Sequence, residues 1–357
     1  MGKINTIVKK KTAPATASAF SRRYSRLIRS LSQKDTKVVI SMGSGGIRMF
    51  AHISVLRFLE KIGAERHISE VWGSSGGAIV GLFFAMGLKA DQIVQQADDF
   101  FKTHHLQLVP SAFSIAKNIL KEAVSKSNGG PVLKGFHNIN ESLQALMGKT
   151  LETGKQKYPW YCLAYNLEKN RTDVLTHTPI PEGLYRDFIF PTDPMDAIIA
   201  SSAIPVIFTP KVIADAGGKR TYTDGGAGEE IPTVSIYKKW LQDREVGLEK
   251  KKRLLVIAVD LGTDLSTIDF FDGWLIRKIP ALQHLRMTVH LTDLIRRARI
   301  ADQKRLLVRD PNVELWEVNV NLSNVSFLDV KAIPKVVDLA ETIVPAEFDR
   351  LNASLLT

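Results

Sequence analysis

Cysteine is almost absent from this sequence, since Cys162 is the only one among 357 residues. A single thiol cannot close a disulfide within one chain, so the apolar core must hold the fold together. The lone cysteine also gives no sign of an oxidising compartment. Hydrophobic residues make up 45% of the chain and charged residues 24%, the balance of an ordinary globular protein with a sizeable core.

Long uncharged apolar stretches are scarce as well. Residues 71–88 form a run of eighteen without a charge, which reaches the lower limit for a membrane-spanning helix. Five glycines interrupt this run, so we predict a buried strand, a sharp turn and a buried helix there. The first thirty residues lack the apolar segment of a secretory signal peptide. We therefore expect a cytoplasmic protein without a signal peptide or a transmembrane span.

Acidic residues are nearly missing from the first 36 positions, which hold nine basic side chains and one acidic one. We assign residues 1–36 to a basic N-terminal arm and residues 37–357 to the main domain. Such a concentration of charge favours an anionic partner, although a solvated tail explains it too. Nucleic acid is the less favoured partner, because the arm offers few aromatic side chains to stack on bases.

Within the arm, apolar and basic side chains separate when plotted at about 100° per residue. One face carries apolar residues and the opposite face carries Arg22, Arg26 and Arg29; the apolar residues are Phe20, Tyr24, Leu27, Ile28 and Leu31. A helix of this kind lies in a membrane surface, where its arginines meet anionic lipids. The alternative is that the same stripe packs on the core of the enzyme, and the sequence leaves both open.

Along the main domain, short apolar segments alternate with helical patterns. The segment Ile47–Ile62 has the spacing of an amphipathic helix. The predicted strands are Lys37–Ser41, Glu70–Trp72, Tyr158–Leu167, Thr172–Thr176, Val206–Ile213, Arg220–Thr223, Leu254–Asp260 and Val313–Val320. Further helices are predicted at 78–86, within 91–150, within 274–308 and from about 331, and the charged stretch 243–253 is predicted as a surface loop. This alternation predicts an α/β fold in which a mostly parallel sheet is covered on both faces.

The first chemical motif is Gly73-Ser74-Ser75-Gly76-Gly77, which fits the G-x-S-x-G nucleophile elbow. An elbow places its serine on a tight strand-to-helix turn at a helix N-terminus, and glycines such as Gly73 and Gly77 permit the close approach of neighbouring chains. The required apolar strand before it and apolar helix after it are both present. A Gly/Ser loop packed against the sheet is the structural alternative.

The second motif is the glycine-rich turn Gly43-Ser44-Gly45-Gly46-Ile47-Arg48 between the first strand and the first helix. A dinucleotide loop would need glycine at the place of Arg48, and a Walker A loop would need a following Gly-Lys-Ser/Thr, so neither pattern fits. An oxyanion hole fits better, with the amides of Gly45 and Gly46, and Arg48 nearby, holding the developing negative charge.

The third motif, Asp224-Gly225-Gly226, is by itself a common turn. It gains meaning because a serine nucleophile needs a base. Among eight histidines, only His284 and His290 come late enough for an α/β-hydrolase triad, and both lie in helix-like sequence. His52 lies in the first predicted helix and is expected to be packed. A carboxylate base acting directly on Ser75 removes the need for histidine.

These motifs, in this order, resemble those of the patatin-like phospholipases over residues 37–235. The matching signals are the Gly-rich loop with Arg48, the elbow, the Asp-Gly pair, and the stretch Ala200-Ser201-Ser202-Ala203-Ile204-Pro205 with Phe208 and Pro210. Four ordered signals make the resemblance specific. Two departures affect the loop: Ser44 stands where a glycine is usual, and Met49 stands where a glycine follows the arginine.

The resemblance implies a three-layer α/β/α patatin-like fold with a Ser75–Asp224 dyad and no metal or organic cofactor. It implies a phospholipase A or lysophospholipase that cleaves the fatty-acyl esters of phospholipids or lysophospholipids through an acyl-enzyme. The need for an unknown activator is left open, and the contact with an anionic membrane surface is assigned to residues 1–36. Three alternatives remain: an acyltransferase, a neutral-lipid esterase, or a non-catalytic membrane-binding protein.

Overall fold

The computed structural model describes residues 20, 22–103, 140–153, 155–205, 208–215, 218–262, 298, 300–302, 304–325 and 330–355. Within them, nine strands form one sheet. The strands are β1 (Thr36–Met42), β2 (Ile68–Ser74), β3 (Trp160–Asn166), β4 (Arg171–Leu175), β5 (Phe188–Ile189), β6 (Lys211–Asp215), β7 (Gly218–Asp224), β8 (Arg253–Asp260) and β9 (Val313–Asn319). The helices are α1 (Ser25–Leu31), α2 (Phe50–Ile62), α3 (Gly76–Ala85), α4 (Ala90–Thr103), α5 (Asn140–Thr153), α6 (Pro194–Ser201), α7 (Val234–Glu245) and α8 (Ile333–Ser354).

The sheet is mostly parallel, as the alternating sequence pattern predicts. Its order is β5-β4-β3-β2-β1-β8-β9, and β7 pairs with both β3 and β6. The central strands β3, β2, β1, β8 and β9 run parallel to one another. The antiparallel pairs are β3 with β4, β3 with β7, and β6 with β7. Parallel strands end at one edge of the sheet, so the loops after β1 and β2 lie side by side.

Helices cover both faces of this sheet. Successive residues of a strand point to opposite sides, so the apolar side chains of a buried strand need a packing partner on each face. In β1, Val38, Ile40 and Met42 belong to a core cluster that includes α2, α3 and α8. Val39 belongs to a second cluster on the other face, where Ile236 and Trp240 of α7 pack against the sheet. The three-layer α/β/α fold is therefore confirmed.

The uncharged run 71–88 forms the end of β2, a turn and the buried helix α3, as expected. In the described part of the chain, no helix has both the length and the hydropathy for crossing a membrane. Strand β6 spans Lys211–Asp215, so the prediction of a strand over Val206–Ile213 was wrong near its start: Phe208 forms only an isolated bridge and residues 209–210 belong to no strand, while residues 206–207 lie outside the described residues. The expected helices within 274–297 lie outside the described residues.

The apolar stripe of the N-terminal arm is packed on the main domain in this structure. Tyr24, Leu27 and Leu31 are buried, and the Tyr24 hydroxyl donates to Asp349 of α8 at 2.8 Å. Phe20 and Tyr24 make aromatic contacts with Phe58 of α2. Of the two open alternatives, residues 20 and 22–31 therefore adopt core packing, while residues 1–19 and 21 lie outside the described residues.

Candidate active site

Ser75 occupies a strained backbone turn between β2 and α3. Its φ is 54° and its ψ is −125°. Among the non-glycine residues that the structure describes, only Ser75 and Asn170 have a positive φ. A serine in this region costs about 1–3 kcal/mol and persists where the surrounding structure holds it. This is the geometry of a nucleophile elbow, which the G-x-S-x-G pattern predicts.

The elbow glycines are required by close packing. A Cβ atom on Gly73 would lie 2.4 Å from the Cα of Ala78, and one on Gly77 would lie 2.2 Å from the carbonyl oxygen of Met42. Both distances are far below any real Cβ contact, and both involve backbone, which cannot move aside cheaply. The two glycines therefore let α3 begin directly against the ends of β1 and β2.

The Ser75 peptide is anchored by Ser201, to which no sequence motif assigns a role. Its N–H donates to the hydroxyl oxygen of Ser201, at the end of α6, over 2.8 Å. Ser201 is fully buried. The only available signal was the family-like stretch 200–205, which contains Ser201 but does not reveal its partner.

Asp224 is the last residue of β7 and is also buried. Its Oδ1 accepts the N–H of Gly226 at 2.8 Å, and its own N–H donates to the carbonyl of Ala203 at 3.0 Å. A Cβ on Gly225 would lie 2.2 Å from the carbonyl oxygen of Leu163 and 2.7 Å from the Ser74 hydroxyl oxygen. The Asp-Gly pair thus packs closely against β3 and against the end of β2, which leads into the elbow.

Strand pairing brings the two candidate catalytic residues together. Ser74 is opposite Leu163 of β3, and Asp224 is opposite the next residue, Ala164. The other edge of β3 is occupied by β4 over residues 162–166, so β2 and β7 must share one edge. They meet there end to end, and consecutive positions along a strand are only about 3.3 Å apart. Ser75 and Asp224 therefore leave neighbouring strand ends.

The glycine-rich loop lies beside this elbow. The N–H of Gly43 donates to Val259 and that of Ser44 to Glu230, after which residues 46–49 form a 3₁₀ turn. The amides of Gly45 and Gly46 donate to no backbone carbonyl in the described part of the chain. A Cβ on Gly76 would lie 2.9 Å from the Gly46 carbonyl oxygen, so the loop touches the start of α3. Two amides next to a nucleophile can hold an oxyanion.

The two departures from the family pattern are accommodated in this loop. Ser44 does not have a positive φ, so the position does not demand glycine. A Cβ on Gly226 would lie 2.9 Å from both the Ser44 hydroxyl oxygen and Asp224 Oδ1, so Ser44 lies near the candidate base. Met49 packs against the elbow, because a Cβ on Gly76 would lie 2.7 Å from the Met49 Cβ.

Arg48 anchors the loop from within the protein. Its guanidinium donates to the carbonyls of Val325 at 2.8 Å, Gly262 at 3.1 Å and Ser323 at 3.3 Å, and the side chain is 0% exposed. These bonds tie the loop to the segments that follow β8 and β9. The Arg48 guanidinium is thus engaged by the protein's own carbonyls.

His52 packs under the same loop and is not a candidate base. Its Nε2 lies 2.8 Å from the carbonyl oxygen of Gly43, which can only accept, so Nε2 carries the proton. Burial lowers the pKa of His52 to about 4, and the bond to Gly43 and the charge of Asp260 oppose this shift.

The late histidines His284 and His290 lie outside the described residues. In the described part of the chain, no cluster of three or more His, Cys, Asp or Glu side chains is placed to hold a metal ion.

Comparison with known proteins identifies relatives of this chain. A family model described as patatin-like phospholipase matches residues 40–236, the segment from β1 to the start of α7 that includes all the site residues named above. Uncharacterised NTE family proteins of Mycobacterium bovis and Mycobacterium tuberculosis are 26% identical over 201 residues. That alignment covers 56% of this chain and 45% of each relative, so the chain matches less than half the length of these relatives.

Solved structures show a looser similarity. VipD from Legionella pneumophila has a TM-score of 0.40 at 12% identity, covering 89% of this chain and 68% of VipD. Human GIVD cytosolic phospholipase A2, in complex with methyl gamma-linolenyl fluorophosphonate, has a TM-score of 0.41 at 13% identity, covering 97% and 64%.

Proposed function

Because the chain belongs to the patatin-like phospholipase family, we propose that it is a lipid acyl hydrolase that works through a Ser75–Asp224 dyad. In this proposal Ser75 attacks the ester carbonyl of a lipid and Asp224 takes its proton. The observation that carries it is the meeting of β2 and β7 on one edge of β3, which sets the two residues on adjacent strand ends. The positive φ of Ser75 supports the same role.

The first half of the reaction forms an acyl-enzyme. Asp224 removes the Ser75 proton as the hydroxyl oxygen attacks, and the carbonyl oxygen becomes negative. The amides of Gly45 and Gly46 donate to that oxygen, and the N-terminus of α3 lies nearby with its favourable dipole. The tetrahedral intermediate collapses, the lipid alcohol leaves with the proton held by Asp224, and the fatty acyl group stays on Ser75.

The second half releases the fatty acid. Asp224 deprotonates a water molecule, which attacks the acyl carbonyl while the same amides hold the oxyanion. Collapse breaks the bond to Ser75, which recovers a proton from Asp224. Arg48 contributes by fixing the loop that presents the amides, since its guanidinium donates to the carbonyls of Gly262, Ser323 and Val325. The substrate class is a glycerophospholipid, a lysophospholipid or a neutral lipid ester.

A lipid enzyme must also reach its substrate, and we propose an electrostatic contact for this step. The stripe of α1 packs on the core, so its apolar side chains are not available for insertion into lipid. Arg22, Arg26 and Arg29 are exposed, and residues 1–19 contribute Lys3, Lys9, Lys10 and Lys11. Basic side chains of this kind attract anionic membrane surfaces.

Lipid analysis tests the proposed function. Liposomes of mixed glycerophospholipids are incubated with the wild type and with Ser75→Ala, and released fatty acids and lysolipids are measured. We expect fatty acid and lysolipid in equal amounts from the wild type and neither from the variant. New ester formed with an added alcohol would instead indicate an acyltransferase. The same assay is repeated with a lysophospholipid and with a neutral lipid ester, and a correctly folded wild type that forms no product from any of the three substrates would contradict the proposal.

A further inference from the structure

The turn that ends α6 contacts both halves of the proposed dyad. Ser201 accepts the N–H of Ser75 at 2.8 Å. Two residues later, the carbonyl of Ala203 accepts the N–H of Asp224 at 3.0 Å and the hydroxyl of Thr223 at 2.7 Å. A single short turn therefore holds the nucleophile at one end and the base at the other.

Helix α6 is well fixed, so it can serve as a reference for these bonds. Asp193 caps its N-terminus by accepting the N–H groups of Met195 at 2.9 Å and Asp196 at 3.1 Å. Ala197 and Ile198 are fully buried in the core. Cys162 of β3 donates to the Ala197 carbonyl at 3.4 Å, which ties the helix to the central strand. A rigid support of this kind is what precise placement of a reacting group requires.

Ser201 also contacts Cys162. Burial raises the pKa of the Cys162 thiol to about 12, and a hydrogen bond with Ser201 opposes that shift. Cys162 therefore remains a neutral thiol and acts as a small packing group. Ser201 thus joins α6, which carries it, to the elbow through the Ser75 peptide.

We propose that Ser201 is a positioning residue for the nucleophile, an inference that rests on the proposed function. Its hydroxyl oxygen accepts the Ser75 N–H and so holds the Ser75 peptide in the positive-φ conformation of the elbow. Ser201 contacts the peptide and not the reacting hydroxyl, so it takes no proton in the reaction. Without this acceptor, the Ser75 N–H has no partner among the described residues, and the strained peptide loses the bond that fixes its orientation.

The chain supplies a matched control at the next position. Ser202 is buried like Ser201 and lies at the same helix end, but its hydroxyl has no hydrogen-bond partner among the described residues. Ser201→Ala and Ser202→Ala therefore make the same chemical change in the same surroundings. Only the first removes a bond to the nucleophile.

The test compares Ser201→Ala, Ser201→Cys and Ser202→Ala with the wild type. The readouts are kcat and KM on a short-chain acyl ester, the second-order rate of Ser75 labelling by a fluorophosphonate, and the thermal midpoint. Misplacing a reacting group by about 1 Å costs roughly 100-fold, so we expect kcat and the labelling rate of Ser201→Ala to fall about 10- to 100-fold. KM should stay within about twofold, since the bond fixes the nucleophile and not the substrate.

The other variants complete the series. Cysteine keeps a weaker acceptor at the same place, so Ser201→Cys should fall between Ser201→Ala and the wild type, and Ser202→Ala should match the wild type. Equal losses in Ser201→Ala and Ser202→Ala, or wild-type labelling in Ser201→Ala, would overturn the proposal. Should Ser201→Ala fail to fold, Ser201→Cys decides: slower labelling at unchanged KM supports the role, and wild-type labelling refutes it. A wild type that neither hydrolyses esters nor reacts with the probe would refute the proposed function and this inference with it.

Discussion

Ser74 and Asp224 are the last residues of two strands that meet end to end along one edge of β3, where they lie opposite Leu163 and Ala164. They are 150 positions apart in the sequence, and three strands must pair in the correct register to bring them together. A slip of one residue in β7 would move the Asp224 side chain to the opposite face of the sheet. The Asp-Gly pair supports this register, because a side chain at Gly225 would collide with the Leu163 carbonyl.

The dyad predicts a non-additive pattern of losses. Ser75→Ala should reduce ester hydrolysis to background, and Asp224→Asn should lower kcat by about 10²–10⁴-fold because the general base is lost. Asparagine can still accept the Gly226 N–H, so the fold should be kept. Nucleophile and base act as one unit, so the double variant should be no slower than Ser75→Ala. The measurement is kcat on a short-chain ester, with circular dichroism to check folding.

Ser74→Ala is the matched control for the dyad, since it removes a buried hydroxyl one residue upstream. Its activity should stay within about tenfold of the wild type. Hydrolysis by Ser75→Ala at a substantial fraction of the wild-type rate would contradict the assignment of the nucleophile.

A comparison of Gly46→Ala with Gly63→Ala distinguishes the effect of backbone strain on stability from an effect on the oxyanion loop. Gly46 has a φ of 53° beside the elbow, and Gly63 has a φ of 71° at the far end of α2, where nothing lies near an added Cβ. Alanine in this backbone region costs about 1–2 kcal/mol, so both substitutions should lower thermal stability by similar amounts. Alanine keeps the backbone N–H, but the strain at this φ moves that amide away from the oxyanion, so Gly46→Ala should also lower kcat, by up to about 10²–10³-fold, the typical effect of one oxyanion donor. Equal kcat values for the two variants would place the oxyanion elsewhere.

The sequence predicts the parallel core and the motif residues well, because apolar strands and glycine turns leave local signals. It misses α7, whose C-terminal end overlaps the charged stretch 243–253 that the sequence predicts to be a surface loop. Lys239 and Asp243 are buried in that helix and pair with each other at 2.7 Å, and Lys239 also reaches Glu70 at 3.1 Å. Charged residues normally indicate a solvent-exposed segment. When buried charges are neutralised by partners on distant elements, the sequence therefore does not show that the helix is buried.

The sequence also fails to reveal the charge environment of Glu70 and the contacts that support the site. Burial works to raise the pKa of Glu70, but Lys37 and Lys239 lower it to about 2, an arrangement that no local pattern reveals. The bond between Ser75 and Ser201 likewise exists only once α6 packs beside the elbow. Spacing along the chain could nominate Ser75 and Asp224, whereas their supporting contacts depend on tertiary pairing.

Arg48 should matter for both stability and turnover. Arg48→Met leaves the carbonyls of Gly262, Ser323 and Val325 without their charged donor, and hydrogen bonds to charged groups contribute about 1.5–3 kcal/mol each in net terms. The three bonds share one guanidinium and their contributions are not additive, so we expect the free energy of unfolding to fall by about 3–5 kcal/mol and kcat to fall with it. Arg57→Ala is the control, since its partly exposed ion pairs should contribute under about 1 kcal/mol. Equal stabilities of the two variants in urea would refute the anchoring role.

His52 predicts a specific loss of stability in mild acid. Burial lowers the pKa of the folded-state imidazole to about 4 from the usual 6.5, so the unfolded chain binds a proton first as the pH falls. His52 therefore contributes full stability above about pH 6.5, and up to about 3 kcal/mol is lost between there and pH 4. His52→Gln keeps a donor for the Gly43 carbonyl and cannot titrate, so its unfolding free energy should fall less steeply across this interval. Parallel urea midpoints for both proteins from pH 7 to 4.5 would contradict this prediction.

The N-terminal residues should divide into a structural part and an electrostatic part. Leu27 is fully buried on the core, so Leu27→Ala should destabilise the protein by about 2–5 kcal/mol. Arg26 and Arg29 are exposed on the same helix, so the double change to glutamine should leave stability within about 1 kcal/mol. Thermal denaturation of the two variants measures this difference.

Membrane binding, unlike stability, should depend on the exposed basic residues and not on the buried Leu27. Each basic residue near an anionic surface contributes about 1 kcal/mol at best. Removing residues 1–19, with their four lysines, should therefore weaken binding to anionic liposomes, and Arg26→Gln with Arg29→Gln should weaken it further. Hydrolysis of a soluble ester should stay nearly unchanged, because these residues lie outside the proposed dyad. Binding should fall as salt rises, since exposed charges are screened over about 8 Å at physiological ionic strength. Truncated protein that binds such liposomes as tightly as the full chain, at every salt concentration, would show that another surface makes the contact.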